Sequence, residues 1–144
     1  MQSIEAIIMH CSATREGRPF TAKDIDSWHR ARGFSKIGYH YVVDLDGTIE
    51  KGREEHEDGA HCTQERMNHR SIGICYIGGL DENGMPKDTR TEAQKASLRR
   101  LVENIRQRYG WNVEVFGHRD FAAKACPCFD ARHEYGIDQG KSKR

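Results

Sequence analysis

The sequence predicts a single α/β domain with a mixed central β-sheet flanked by helices. Short apolar runs alternate along the chain with segments of helical periodicity, which is the order expected of such a fold. The 144 residues are the length of one ordinary domain, and no repeat or linker divides them. We therefore expect one folded domain over residues 1–135, followed by a polar C-terminal tail over residues 136–144.

The chain begins with a predicted strand and a predicted helix. The apolar run Ile4–Met9 has the composition of a buried central strand. Thr21 is expected to cap a helix, with Asp24 three residues later in the position of a capping box. Gly33 suits a left-handed C-cap, so the helix should end there.

A hairpin and a long loop follow. Residues 39–43 and 48–51 read as two strands joined by the turn Asp44–Gly47, which carries an Asp-Gly pair. From Glu54 to Arg70 the sequence is polar and has no usable period. A loop this long in a compact domain is often functional.

The second half supplies a strand, a helix and a last strand. Ser71–Ile77 is apolar throughout and predicts another buried strand. Thr91 and Gln94 form a second capping-box pattern before the clearest helical stripe of the chain, which Gly110 closes. The stripe consists of Leu98, Leu101, Val102, Ile105 and Tyr109. Val113–Phe116 predicts the final strand.

Charge and hydropathy exclude several classes of protein. With 23 basic and 22 acidic residues, bulk electrostatics do not favour nucleic-acid binding, and the basic end Lys141–Arg144 is expected to be a solvated tail. No apolar run is long enough to span a membrane. The first five residues do not have the pattern of a signal peptide. A monomer made in the cytoplasm is expected.

Five cysteines are an odd count, which a closed set of disulfides does not explain. Cys11 and Cys75 lie in apolar runs and are expected to be inert core thiols. A disulfide between Cys126 and Cys128 would close a small, strained ring. Disulfides are therefore not expected to organise the fold.

Two histidines and a cysteine can meet at one edge of the predicted sheet. His10 closes the first strand, His118 follows the last, and Cys126 comes eight residues later. Ligands bind beyond the carboxyl ends of strands in open α/β sheets, so these groups meet if the two strands are parallel. Two imidazoles and a thiolate suit Zn²⁺, and three ligands leave a fourth position for water. A histidine at a strand end is, however, more often a hydrogen-bonded structural residue, so spacing alone leaves both interpretations open.

Five short motifs, in order, extend this hypothesis to most of the chain. They resemble those of the type-2 family of zinc-dependent N-acetylmuramoyl-L-alanine amidases, which shares its fold with peptidoglycan-recognition proteins. The resemblance is strongest to the short single-domain amidases of tailed bacteriophages and covers the chain from about Ile4 to Asp130. The motifs are His10–Thr14, Gly38–Tyr41, Asn68–Ile74, Gly117–Asp120 and Lys124–Pro127.

The resemblance implies a role for each matching residue. His10, His118 and Cys126 correspond to the zinc ligands. Tyr39 corresponds to the tyrosine whose hydroxyl binds or helps to deprotonate the attacking water. Lys124 corresponds to the group that faces the developing oxyanion. The implied activity is hydrolysis of the amide bond between N-acetylmuramic acid and L-alanine in peptidoglycan, carried out by the domain at residues 1–135.

The remaining histidines and one arginine have less defined roles. His61, in the long loop, could line the groove that holds the glycan or the stem peptide. His40 could orient a metal ligand from behind, as metal-bound histidines usually require. Arg53 could equally contact substrate or solvent. His69 is expected in a turn and His29 on the packed face of the first helix.

Cys128 is the clearest departure from the family pattern, in which Gly or Ser is more usual at this position. A second thiol two residues from a ligand could compete for zinc or make the site sensitive to oxidation.

The resemblance also suggests a context and two rival functions. An amidase without a signal peptide fits a phage or prophage endolysin that is released to the cell wall through a holin pore. Some relatives of this fold bind peptidoglycan without cleaving it, but they characteristically lack the zinc cysteine that Cys126 supplies here. A regulatory contact with a protein partner, a phage-host polymerase, is the third possibility, and the sequence does not test it.

Overall fold

A computed structural model describes residues 3–136. The predicted basic end 141–144, and all of the predicted tail except Gly136, lie outside the described residues. Seven strands and three α-helices are found in the described part of the chain. In chain order they are β1 (Ala6–Cys11), β2 (Thr14–Arg15), α1 (Ala22–Ala31), β3 (Tyr41–Val43), β4 (Ile49–Lys51), β5 (Ser71–Tyr76), β6 (Gly79–Leu80), α2 (Glu92–Tyr109), β7 (Glu114–Gly117) and α3 (Ala131–Glu134).

The main sheet has five strands in the order β4-β3-β5-β1-β7. Strand β1 lies between β5 and β7 and runs parallel to both, and β3 is parallel to β5. Only β4 is antiparallel, because it is the return strand of the hairpin with β3. The α/β class with a mixed sheet flanked by helices is confirmed. Strands β2 and β6 form a separate two-stranded sheet.

The two faces of the sheet are covered by different elements. On β1, Ile7 and Met9 share an apolar cluster with four residues of the predicted α2 stripe, Leu98, Leu101, Val102 and Ile105, whereas Tyr109 at the end of that stripe is exposed. Side chains alternate between the two faces of a strand, so Ile8 and His10 point the other way. Ile8 packs there against Cys62 from the long loop. His10 therefore lies on the face that the long loop covers.

Both capping boxes predicted from the sequence start helices. The backbone N–H of Thr21 donates to Asp24 Oδ2 at 2.9 Å, and α1 begins at the next residue. The backbone N–H of Gln94 donates to Thr91 Oγ1 at 3.0 Å, and α2 ends before Gly110 as expected. Across residues 3–136, neither of these helices nor α3 combines the length and apolarity needed to cross a membrane.

Some boundaries differ from the expectation. Strand β3 begins at Tyr41, two residues later than predicted, so Tyr39 precedes it. The chain still pairs there, because the Arg53 N–H donates to the Tyr39 carbonyl at 2.9 Å. Gly52 lies so close to that carbonyl that any side chain on it would collide. The short elements β2, β6 and α3 were not predicted from the sequence.

A buried arginine joins α3 to the rest of the fold. The Arg90 side chain is only 3% exposed, and its guanidinium donates to Asp88 Oδ1 at 3.0 Å and to Glu134 Oε1 at 2.9 Å. The guanidinium also lies 3.4 Å from the centre of the Phe129 ring. Both acidic partners are less buried than the arginine, so the network crosses from the core to the surface.

Replacing Arg90 by Ala is expected to lower the free energy of unfolding by about 3–5 kcal/mol, because two carboxylates lose their partner in a partly buried site. Urea denaturation followed by circular dichroism measures the change. Lys95→Ala is the control, since it removes an exposed ion pair with Glu92 and should change stability by less than about 0.5 kcal/mol. Equal effects of the two substitutions would contradict a structural role for the Arg90 network.

Two carboxyl groups, Asp44 and Glu50, lie close together beside the hairpin. Burial and then the neighbouring Glu50 carboxylate raise the pKa of Asp44 to about 7. The Glu50 carboxylate is itself held by the backbone N–H of Ala22 at the start of α1, at 2.7 Å. The folded protein therefore keeps a proton on Asp44 that the unfolded chain releases near pH 4.

This raised pKa predicts a pH dependence of stability. Between about pH 4 and 7 the folded state binds more protons at Asp44 than the unfolded state, so the contribution of this residue to stability falls as the pH rises. In Asp44→Asn the decline should disappear, because an amide does not titrate. The measurement is urea unfolding of both proteins at pH 5 and pH 8. A decline of the same size in the variant would show that Asp44 is not its source.

Candidate metal centre and substrate groove

The side chains of His10, His118 and Cys126 come together at one edge of the main sheet. Their potential ligand atoms all lie within 4.8 Å of one another. Cys126 Sγ is 3.9 Å from His10 Nδ1, and the centres of the two imidazole rings are 4.7 Å apart. Within residues 3–136 this is the one group of three such side chains with metal-binding geometry.

The sheet register explains why the two histidines meet. Met9 of β1 pairs with Gly117 of β7, and the strands are parallel. His10 follows Met9 and His118 follows Gly117, so both histidines lie at the carboxyl edge of the sheet and at the same level. The chain turns into a short 3₁₀ helix at His118–Asp120, where the Gly117 N–H donates to Asp120 Oδ2 at 2.8 Å. The turn keeps His118 at the edge.

Cys126 reaches the same place because its loop folds back over the end of β7. The Arg119 N–H donates to the Cys126 carbonyl at 2.7 Å. A side-chain carbon on Gly117 would lie 2.7 Å from Pro127 Cδ, so the absence of a side chain there allows the close approach. The backbone N–H of Cys11 points at Cys126 Sγ at 3.2 Å.

Both histidines of the cluster are buried, His10 to 1% exposure and His118 to 8%. Burial, followed by the neighbouring His61 and His118, holds the pKa of His10 well below its usual value. Burial and then the charge of Lys124 lower the pKa of His118. Neutral imidazoles are the form that binds metal ions. The environment therefore favours the ligand form of both rings.

Tyr39 and Lys124 lie beside the three-residue cluster. The centre of the Tyr39 ring is 4.9 Å from that of His10. Burial, with smaller effects from neighbouring thiols, raises the pKa of Tyr39 well above its usual value, so its hydroxyl keeps its proton. The Lys124 side chain is exposed at the mouth of the groove. The residues that the resemblance associates with catalysis are thus gathered in one place.

The cluster lies in a groove of about 560 Å³. The end of α1 and the segment after it provide Arg32 and Phe34, and the long loop provides Thr63 and Gln64. Sequence reasoning missed these four residues, because exposed positions at a helix end or in an aperiodic loop carry no pattern of their own. His61, which was predicted to line a groove, does lie in its wall.

The orienting contact to a ligand histidine comes from His61, not from His40. His61 Nδ1 is 2.9 Å from His10 Nε2. His40 uses both of its ring nitrogens elsewhere: Nδ1 accepts from the Gly73 N–H at 3.0 Å, and Nε2 contacts the Glu57 carbonyl at 2.9 Å. These contacts join the long loop to β5, and neither of them is with His10, His118 or Cys126.

The Arg53 side chain hydrogen-bonds to backbone carbonyls and does not line the groove. Its Nε donates to the Ile37 carbonyl and its Nη1 to the Asp58 carbonyl, each at 2.8 Å. These bonds hold the start of the long loop, and a contact of Arg53 with substrate stays a prediction. His69 pairs with Asp58 at 2.6 Å. His29 is buried on α1 as expected, and its Nδ1 accepts from the Gly38 N–H at 2.9 Å.

The thiol of Cys128 points away from the cluster. Its Sγ lies 3.2 Å from the Gly79 carbonyl and 4.0 Å from Cys11 Sγ. All five cysteines are free, and Cys11 and Cys75 are buried as predicted. The contact with Cys126 and then burial raise the pKa of the Cys11 thiol far above its usual range. Competition of Cys128 for a metal ion has no support in this arrangement.

Comparison with known proteins gives consistent results. Residues 1–129 match the family model described as N-acetylmuramoyl-L-alanine amidase. The endolysin of Enterobacteria phage T3 is 41% identical over 128 residues, which are 89% of this chain and 83% of that protein. The endolysin of Escherichia phage T7 is 39% identical over 131 residues, which are 91% of this chain and 85% of that protein.

The fold agrees with that of a solved amidase structure. The N-acetylmuramoyl-L-alanine amidase LysC from Clostridium intestinale superposes with a TM-score of 0.76 and 28% sequence identity. The superposition covers 97% of this chain and 86% of the other. The chain therefore belongs to the N-acetylmuramoyl-L-alanine amidase family, whose members hydrolyse an amide bond of peptidoglycan.

Proposed function

We propose that the chain is a zinc-dependent amidase that separates the lactyl group of N-acetylmuramic acid from the L-alanine of the stem peptide. The observation that carries the proposal is the convergence of His10, His118 and Cys126 in the groove, with their ligand atoms within 4.8 Å of one another. Tyr39 and Lys124 border the same groove.

The three side chains fit zinc by their chemistry. A thiolate and two neutral imidazoles are typical zinc ligands, and a three-ligand set is typical of catalytic sites. Nδ1 of His10 faces the cluster, where it lies 3.9 Å from Cys126 Sγ. When bound, zinc supplies Lewis-acid chemistry, polarising a carbonyl group and lowering the pKa of a water molecule.

Tyr39 and Lys124, which line the same groove, would assist the reaction. The raised pKa of Tyr39 keeps its hydroxyl protonated, so the residue is suited to orient a water molecule or the substrate carbonyl by donating a hydrogen bond. The exposed ammonium of Lys124 is suited to stabilise negative charge on the carbonyl oxygen as the amide is attacked. Because Lys124 lies at the mouth of the groove, a bound substrate would replace the water molecules that hydrate its ammonium group.

We further propose that the protein acts as a phage or prophage endolysin. The relatives from phages T3 and T7 carry that name and match about nine-tenths of this chain. In this role the enzyme would be released to the cell wall, in a holin-dependent way, and would work as a monomer on the glycan with its stem peptide. Residues 1–135 would form the zinc amidase domain.

Replacing Cys126 by Ser should abolish hydrolysis and strongly weaken zinc binding, because a hydroxyl is a poor zinc ligand at neutral pH. Metal analysis of the purified protein and the release of L-alanine N-termini from purified muropeptides measure the two effects. Cys128→Ser is the matched control, since its Sγ faces the Gly79 carbonyl, and it should keep both zinc and activity.

The same assay separates the amidase from a peptidoglycan-binding module. Binding of muropeptides by the intact chain without release of L-alanine N-termini would favour the module. Full hydrolysis by metal-free protein after chelation would contradict the zinc proposal.

Replacing Lys124 by Ala is expected to reduce kcat by about 10²–10³-fold, the usual effect of losing one group that stabilises an oxyanion. Zinc content should not change, because Lys124 belongs to the mouth of the groove and not to the ligand set. Lys124→Arg keeps the charge and should retain more activity than the Ala variant. An Ala variant with unchanged kcat would remove Lys124 from the mechanism.

A further inference from the structure

We propose that His61 is a positioning residue that holds His10 in the one tautomer able to bind a metal ion through Nδ1. The inference concerns how the site is built and rests on the proposed zinc centre. It replaces the expectation that His61 binds substrate. Three observations support it: the packing of the His61 ring, the direction of its hydrogen bonds, and the burial of the residue.

The ring of His61 fits between two glycines. A side-chain carbon at Gly73 of β5 would lie 2.6 Å from the Cγ and Cδ2 atoms of His61, and one at Gly59 would also collide with the ring. The backbone of His61 is fixed as well, because its N–H donates to Asn68 Oδ1 at 2.8 Å. The position of the ring against His10 is therefore set by the surrounding backbone.

The hydrogen bonds behind His61 have only one consistent direction. The Ser71 hydroxyl donates its single proton to the Met67 carbonyl at 2.6 Å. Ser71 Oγ can then only accept from His61 Nε2, which lies 3.4 Å away, so the ring proton of neutral His61 is on Nε2. Nδ1 of His61 is left with a lone pair.

That lone pair decides the tautomer of His10. Nδ1 of His61 lies 2.9 Å from His10 Nε2, so a neutral His10 must carry its proton on Nε2 and donate it. Nδ1 of His10 is then free of a proton, and it is the nitrogen that faces Cys126 Sγ at 3.9 Å. The Met67 carbonyl thus fixes, through Ser71 and His61, which nitrogen of His10 can bind the metal.

The burial of His61 argues against its being mainly a substrate contact. The residue is 8% exposed although it lies in the groove wall, and both of its ring nitrogens have protein partners. A substrate group could bind to either nitrogen only by breaking the chain of bonds to His10 or to Ser71. The His61 ring forms part of the groove wall, and its hydrogen bonds hold His10 in position.

Two replacements separate the positioning role from simple packing. His61→Phe keeps a ring of similar size but has no acceptor for His10 Nε2–H. His61→Asn loses the ring but keeps an acceptor, Oδ1, one bond beyond Cγ, where Nδ1 of histidine lies. Zinc affinity is measured by competition with a chromogenic chelator. The tautomer of His10 is read from ¹⁵N chemical shifts of the metal-free proteins.

We expect His61→Phe to weaken zinc binding by about 10–100-fold, as loss of such a partner usually does, and His61→Asn to recover most of that loss. In metal-free wild type and in the Asn variant, His10 should carry its proton on Nε2. In the Phe variant the Nδ1–H form should become populated. Thermal melting of each metal-free protein verifies that it is folded.

Each alternative has a different signature. Tighter zinc binding by the Phe variant than by the Asn variant would mean that His61 acts by packing, and the inference would fail. Unchanged zinc affinity in both variants with a raised KM would assign His61 to substrate. If wild type binds no zinc, the zinc centre itself fails, while the tautomer of metal-free His10 still decides the role of His61.

Discussion

The parallel pairing of β1 with both β5 and β7 is the constraint on which the site depends. Because Met9 is level with Gly117, the next residue on each strand is a histidine at the same edge of the sheet. A shift of one residue in this register would turn His10 to the face covered by α2 and remove it from the groove. The apolar residues of β1, packed on both faces of the sheet, make that shift costly. The hydrophobic core thus determines the geometry of a polar site.

The elements best predicted from the sequence are those whose signals are local. The caps at Thr21 and Thr91 and the apolar run that forms β5 need only neighbouring residues to be recognised. Strands β2 and β6 contain two residues each and exist only because they pair with each other across more than sixty positions of the chain. No periodicity can reveal a strand so short. The same holds for α3, whose four residues are held in place by the Arg90 network.

The site was predictable to the extent that it follows from strand ends and chemistry. His10, His118 and Cys126 were expected to meet if the strands were parallel, and they do. The residue that hydrogen-bonds to His10 from behind was not predictable, and His40 and His61 show why. His40 lies in a predicted strand and His61 in the long loop, and the role of each depends on which distant groups satisfy its ring nitrogens. Both ring nitrogens of His40 contact backbone groups, an N–H of β5 and a loop carbonyl. One ring nitrogen of His61 instead contacts His10.

The packing that makes these imidazoles good ligands also prevents them from carrying charge. Burial lowers the pKa of His61 to about 3 and keeps the pKa of His10 well below its usual value, and each ring disfavours a proton on its neighbours. The positive charge that the proposed mechanism places beside the scissile bond is therefore not expected from the buried histidines. It has to come from a side chain that water solvates before substrate arrives. Lys124 is exposed at the mouth of the groove, next to the ligand loop, and meets that requirement. The division between the proposed ligand set, which is buried and neutral, and an exposed cation follows from the cost of burying charge.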